Sequence, residues 1–187
     1  MEPTVRDLLI SLILYGILPL WGLSGFADWV CHRATHIERT SGLRESVMHS
    51  LMGVQIGIPI VLGVLFEING MVLAICFVAL VLHEVVAHMD VHFAGPRREI
   101  SIWEVHAHNF LATIPFYTFA LIAILRWDTL SRLVRLDWGG EWGFIWREAP
   151  IGGPTYLPLY LAFMGLVCVL PYIEELYRCW RARPTTS

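Results

Sequence analysis

The sequence contains no lysine: all thirteen of its basic residues are arginine. Charge of any kind is scarce, at 16% of 187 residues, and the net charge is −3. A soluble domain of this length carries about a quarter charged residues, so the composition argues against a water-bathed globule. The balance is too small to suit nucleic acid, and no basic stripe interleaves with aromatic residues. Cysteine is limited to Cys31, Cys76, Cys168 and Cys179, with no C-x-x-C pair. That excludes a disulfide scaffold and a zinc ribbon. The N-terminus lacks the basic start and small-residue cleavage site of a signal peptide, so its apolar run is expected to be retained as a first span.

What the chain does have is long apolar runs. Hydrophobic residues make up 56% of it, and the mean hydropathy is +0.60. A helix crosses a hydrocarbon core of roughly 30 Å with about 20 apolar residues. Five segments meet this at approximately 8–30, 47–66, 71–91, 105–125 and 156–172. The expected fold is therefore all-α, a single membrane-embedded helical domain over 1–187. The segment from Arg126 to Gly153 is too polar to span. Its Trp127, Trp138, Trp142 and Trp146 among arginines give it the composition of an interfacial belt. The polar tail Arg-Pro-Thr-Thr-Ser is expected to be disordered. With five spans, the turns at 36–45 and 93–103 share one side with the C-terminus. Eight arginines lie there against five on the other, which orients that side to the cytoplasm of a bacterial inner membrane.

All eight histidines fall between His32 and His108. The end of the first span reads Asp28-x3-His32-x3-His36, and the second begins Glu45-x3-His49. The third ends Glu84-x3-His88-x3-His92, and the fourth begins Glu104-x3-His108. Residues four apart share a helix face, so each helix can present a carboxylate and an imidazole together at one membrane level. His83, Asp90 and His106 add candidates. The order repeats, which predicts two helical hairpins related by a pseudo-twofold axis along the membrane normal. Ionisable groups near a bilayer are costly unless paired, wet or coordinated. A metal site satisfies several at once, and the number of candidates suits two ions better than one. Imidazole with carboxylate fits iron, zinc or manganese; the lack of thiolate excludes copper(I) and iron–sulfur clusters. Ser101 and Glu104 also form a capping-box pattern. Glu38, Glu99, Arg39 and Arg98 lie in the turns and are expected to be solvated, and Arg97 and Arg98 could meet lipid phosphate.

At His32-Arg-Ala-Thr-His36 and His88-Met-Asp-Val-His92 the chain resembles the histidine-rich membrane di-iron fatty acid desaturase and hydroxylase superfamily, over roughly residues 28–108. The resemblance implies two irons that activate O2, a lipid or other apolar substrate, and a separate electron donor. Carried over by position, it implies His32, His36, His88 and His92 as ligands, with His106 and His108 as a third box. The family's H-x2-H-H boxes are absent, and each set here holds a carboxylate. The His-Arg-x-x-His string also resembles membrane-bound metal-dependent hydrolases. Three function classes follow: a di-iron oxidoreductase, a zinc hydrolase of lipid or peptide with Glu84 or Asp90 as general base, and a non-enzymatic metal, haem or transport protein. On this reading, alanine at either His49 or His88 lowers metal content.

Overall fold

The computed structural model describes residues 4–138, 140 and 142–183; the tail at 184–187 lies outside them. The described residues form helices and connecting turns, with no strand among them and one isolated bridge between Phe66 and Trp146. Five helices are long and apolar enough to cross a membrane: α1 Val5–Ala34, α2 Gly42–Leu65, α3 Gly70–Ala94, α4 Ile102–Leu125 and, after the short α5 Trp127–Val134, α6 Tyr156–Arg181. Every long helix outruns its apolar stretch. α6 continues to Arg181, where hydropathy alone ends the span at 172. The polar ends stay helical because their side chains have partners inside the bundle, as the site below shows.

The outer faces are apolar. Leu20, Val54, Phe77, Val81 and Phe116 are all exposed, the surface expected where lipid rather than water surrounds a bundle. Packing links α1 to α4, α2 to α3, and α6 to both α1 and α2. α6 thus sits between the first two helices and closes the bundle. Small residues let it approach α1: a methyl on Gly22 would lie 2.8 Å from the Met164 sulfur, the close contact that glycine permits between membrane helices. Trp21, Ile56 and Ile114 pack at the centre, and the Trp21 indole donates to the Leu111 carbonyl at 3.3 Å.

Two wide π-turns interrupt the helices, at Ile13–Ile17 in α1 and Gly165–Val169 in α6. Each precedes a proline, Pro19 and Pro171. Proline cannot donate to the carbonyl four residues back and its ring crowds it, and a widened turn relieves that crowding. The Tyr156 hydroxyl donates to the Leu14 carbonyl within the first π-turn at 2.8 Å.

The distal end carries the segment expected to lie at the interface. α5 buries none of its residues, and Trp127, Trp138, Trp142 and Trp146 are exposed. Glu67 accepts from Arg126 at 3.0 Å and Arg147 at 3.4 Å. The opposite end gathers the turns at 35–41 and 95–101 and the C-terminal part of α6. Arg98 is 3% exposed in its side chain, so Arg97, which is exposed, is the better reporter of its turn. Cysteines at Arg39 and Arg97 should label with an impermeant maleimide from one face of a sealed vesicle, and one at Asp128 from the other. Labelling of Arg39 and Arg97 from opposite faces would contradict this topology.

Candidate metal centre

Three imidazoles and three carboxylates close into a ring at the turn-bearing end of the bundle. His32 Nδ1 faces Glu175 Oε2 at 2.9 Å, and Glu175 Oε1 faces His49 Nδ1 at 3.0 Å. His49 Nε2 and His108 Nε2 both lie 3.3 Å from Asp90 Oδ2. His108 Nδ1 is 3.0 Å from Asp28 Oδ1, and Asp28 Oδ2 returns to His32 Nε2 at 3.4 Å. The His32 and His49 rings stack with centroids 4.4 Å apart. Five helices contribute: Asp28 and His32 from α1, His49 from α2, Asp90 from α3, His108 from α4 and Glu175 from α6. No single hairpin could build it.

Two more carboxylates flank the ring. Glu104 Oε1 lies 3.4 Å from His32 Nε2, and Glu45 Oε1 lies 3.8 Å from His49 Nε2. The Arg98 guanidinium bridges both, donating from Nε to Glu45 at 3.2 Å and from Nη1 to Glu104 at 2.9 Å. Burial alone would lower the Arg98 pKa, but hydrogen bonds and charge from Glu104 and Glu45 outweigh it and hold the guanidinium well above its ordinary value. Arg98, expected to be solvated, is instead a buried clamp. Glu38 is likewise drawn inward, 11% exposed and paired with Arg178. Ser101 Oγ accepts from the Glu104 amide at 3.2 Å, so one half of the capping box forms. The Glu104 carboxylate turns to Arg98 instead of completing it.

Five of the six ring residues are withdrawn from solvent, Asp28 at 1% exposed, His32 0%, His49 3%, Asp90 1% and Glu175 0%, while the His108 side chain keeps 20%. Five carboxylates against one guanidinium leave a formal charge of four negative units when the imidazoles are neutral. Such a charge in a dry site must be balanced by protons on the imidazoles or by bound cations. Two divalent ions balance it in full. Three groups of side chains bring one ligand atom each within 4.8 Å of one another: Asp28, His32, Glu104 and His108; His32, His49 and Glu175; and His49, Asp90 and His108. Each imidazole belongs to two groups. The fit is supported by two buried ligand atoms that have no hydrogen-bond partner, His32 Nε2 and Asp90 Oδ1. Asp90 Oδ1 is free to coordinate as it stands, and His32 Nε2, 3.4 Å from both Asp28 Oδ2 and Glu104 Oε1, can do so once it gives up any proton it carries. The nitrogen and oxygen donors suit iron, zinc or manganese.

Of the residues expected from sequence, the structure brings together Asp28, His32, Glu45, His49, Glu104 and His108, with Asp90. Glu84, His88 and His92 do not join them. They lie exposed on the outer face of α3, whereas His83, Asp90 and Ala94 face inward. Asp90 is two residues from His88, about 200° around the helix, so one cannot face the site when the other does. His36 is exposed in the turn with a left-handed backbone (φ 53) and faces Glu38 at 3.2 Å. His106 is exposed on α4, two residues before His108. His83 is buried but apart from the ring. Sequence reasoning did not single out Glu175. The available signal was an acidic pair, Glu174-Glu175, at the end of the last apolar run and at the same level as the other sets.

Beside the ring lies a cavity of about 620 Å³ with a nearly apolar wall. Asp28, His49, His108 and Tyr172 reach its edge. The Tyr172 hydroxyl lies 3.3 Å from Asp28 Oδ2 and 3.2 Å from the Gly25 carbonyl, so it can donate to either. That size is within the usual range for small-molecule sites. No family model, curated protein or solved structure matches the chain.

Alanine at His49 should remove most of the bound metal, while alanine at His88 should leave metal content unchanged by elemental analysis. Equal loss at both would place the α3 register elsewhere. Arg98→Leu leaves Glu45 and Glu104 buried without their counter-charge, and breaking such a pair costs about 3–5 kcal/mol. Its thermal unfolding midpoint should fall by several degrees or more in detergent; an unchanged midpoint would mean the clamp carries no stability.

Proposed function

We propose that this chain is a multi-pass membrane oxidoreductase with a carboxylate-rich di-iron centre, acting with O2 on an apolar or lipid-like substrate. The observation that carries the reading is the placement of the closed imidazole–carboxylate ring at the edge of a large apolar cavity. A hydrolytic site needs a water path to its scissile bond, whereas a site for C–H oxidation gains from a dry wall that holds an inert chain and excludes water. The resemblance of the His32 and His88 boxes to the desaturase and hydroxylase superfamily points the same way. Of the six histidines that carry it only His32 and His108 lie in the ring, and His36, His88, His92 and His106 lie off the site, so the reading rests on the ring and not on the boxes.

His32, His49 and His108 would hold the ions with Asp28, Asp90 and Glu175, and Glu45 and Glu104 would stand at the edge. Iron, when bound there, would supply O2 activation and take electrons from a separate donor. The protein's own groups do the rest. Asp28, Asp90 and Glu175 each face two imidazoles and so fix the ring planes of the three histidines. The Arg98 clamp holds the Glu45 and Glu104 carboxylates in place. Tyr172, with its hydroxyl on Asp28 at the cavity edge, is placed to pass a proton between the ring and a substrate chain. The apolar wall positions the chain and keeps water out.

Elemental analysis of the detergent-purified protein, with a visible spectrum of the same sample, tests this. About two irons per chain and no Soret band are expected, followed by O2 consumption on chemical reduction. Zinc in place of iron would move the site to hydrolysis, and a Soret band would move it to haem-based electron transfer.

A further inference from the structure

The cavity beside the ring is not closed on all sides. Its wall includes Val54, Ile58 and Val61 of α2 and Leu161, Val169 and Ile173 of α6. These same residues are 43–57% exposed on the outer surface. The interior space therefore continues to the outside between α2 and α6. The two helices pack together along Leu170–Arg181, at the ring end, and part over Tyr156–Val169. The parting begins at the π-turn before Pro171. On the α2 side the gap is flanked by Gly53 and Gly57, and a methyl placed on either would meet no atom within 4 Å.

Two buried side chains without a hydrogen-bond partner line this space, the Tyr160 hydroxyl and the His83 imidazole, and His83 is the one of them with two nitrogens to satisfy. His83 is 3% exposed and lines the cavity, and neither of its ring nitrogens has a hydrogen-bond partner. The Met52 and Leu111 backbone carbonyls face it as weak acceptors outside good hydrogen-bond geometry. A buried imidazole in that position costs free energy unless something satisfies it. It lies seven residues before Asp90 on α3, roughly 10 Å along the helix axis from the ring.

We infer that the gap between α2 and α6 is a lateral entrance through which one acyl chain of a membrane lipid enters the cavity, and that His83 selects a chain carrying a hydroxyl or carbonyl group. The occupant follows from the surroundings of the opening. Its rim is wholly apolar and lies between helices long enough to cross a membrane, so what faces it is lipid. The same face of α6 continues through Ile173 to Tyr177 and Arg181, with the Arg181 guanidinium 5.8 Å from the Tyr177 ring centre. Such an aromatic and basic pair at a helix end suits a headgroup region, with the chain descending along Ile173 and Val169. The inference rests on the proposed site for its purpose, but the chain-binding it describes can be read without activity.

The test uses full-length protein in phosphatidylcholine vesicles doped with a phospholipid that bears a diazirine in its acyl chain. After irradiation, crosslinks are mapped by mass spectrometry and metal is measured on the same samples. Crosslinks at the interior positions Leu111, Ala112 and Cys168 are expected, besides those on the lipid-facing Phe77 and Phe116. Gly53→Leu with Gly57→Leu should lower the interior crosslinks about fivefold or more and leave the Phe77 and Phe116 crosslinks and the metal content unchanged. Absence of interior crosslinks in the unsubstituted protein, or their survival in the double variant, would overturn the entrance. Loss of metal alone would instead count against the proposed centre. In a competition between probe chains with and without a mid-chain hydroxyl, the hydroxylated chain should be retained about threefold to tenfold better, the worth of one buried hydrogen bond. His83→Leu should abolish that preference, and its persistence would overturn the role of His83.

Discussion

Burying charge among apolar helices is the constraint on which the rest of this structure depends. Asp28, Asp90 and Glu175 each hold two of the three imidazoles, and Arg98 holds Glu45 and Glu104. An isolated carboxylate in such surroundings costs several kcal/mol even after relaxation. None of these groups is tolerable alone, and together they are mutually satisfied. The arrangement also explains why the helices extend past their apolar stretches. The ring needs the last turns of α1, α3 and α6 and the first turns of α2 and α4 at one level. The same demand draws α6 between α1 and α2, because Glu175 must reach both His32 and His49.

The ring and the cavity divide the work of the bundle. At the turn-bearing end, charge pairs fix the side chains of the ring, and Arg98 ties the 95–101 turn to α2 and α4. Towards the middle, small residues on α2 and the π-turn of α6 leave space. The rigid end positions a reactive centre, and the loosely packed part offers an apolar chain somewhere to lie next to it. The distal end, with its exposed tryptophans and the Glu67 pairs to Arg126 and Arg147, lies at the other end of the bundle from the ring.

Much of this was legible in the sequence. Five apolar runs fixed the number of long helices. The four-residue spacing of Asp28 with His32, Glu45 with His49 and Glu104 with His108 placed three of the contributing faces. The same spacing misled on α3. Glu84, His88 and His92 share a face, but it is the outer one. α3 has the highest hydropathy of the long helices, 2.4 over its window, with no polar side to set against an apolar one. Its rotation is decided by which single carboxylate completes the ring, Asp90, and that is a tertiary choice. Glu175 was missed because hydropathy ends the last span at 172, and a carboxylate beyond a span reads as solvated. Arg98 was misjudged for a related reason: a turn arginine is ordinarily exposed, and only the two buried glutamates facing it draw it in.

Proton release on metal binding tests the central claim most directly. In the ring both nitrogens of each imidazole face carboxylate oxygens, so a cation can use a nitrogen only by displacing its proton. Ferrous iron titrated into chelator-treated protein in weakly buffered detergent should release close to one proton per coordinating imidazole, saturating at about two metals per chain. Glu175→Gln, which leaves the helix count and charge clamp in place, should weaken that binding markedly. Saturation with no proton release, or binding indifferent to Glu175→Gln, would mean that metal binds elsewhere and that the ring is a proton-balanced structural network.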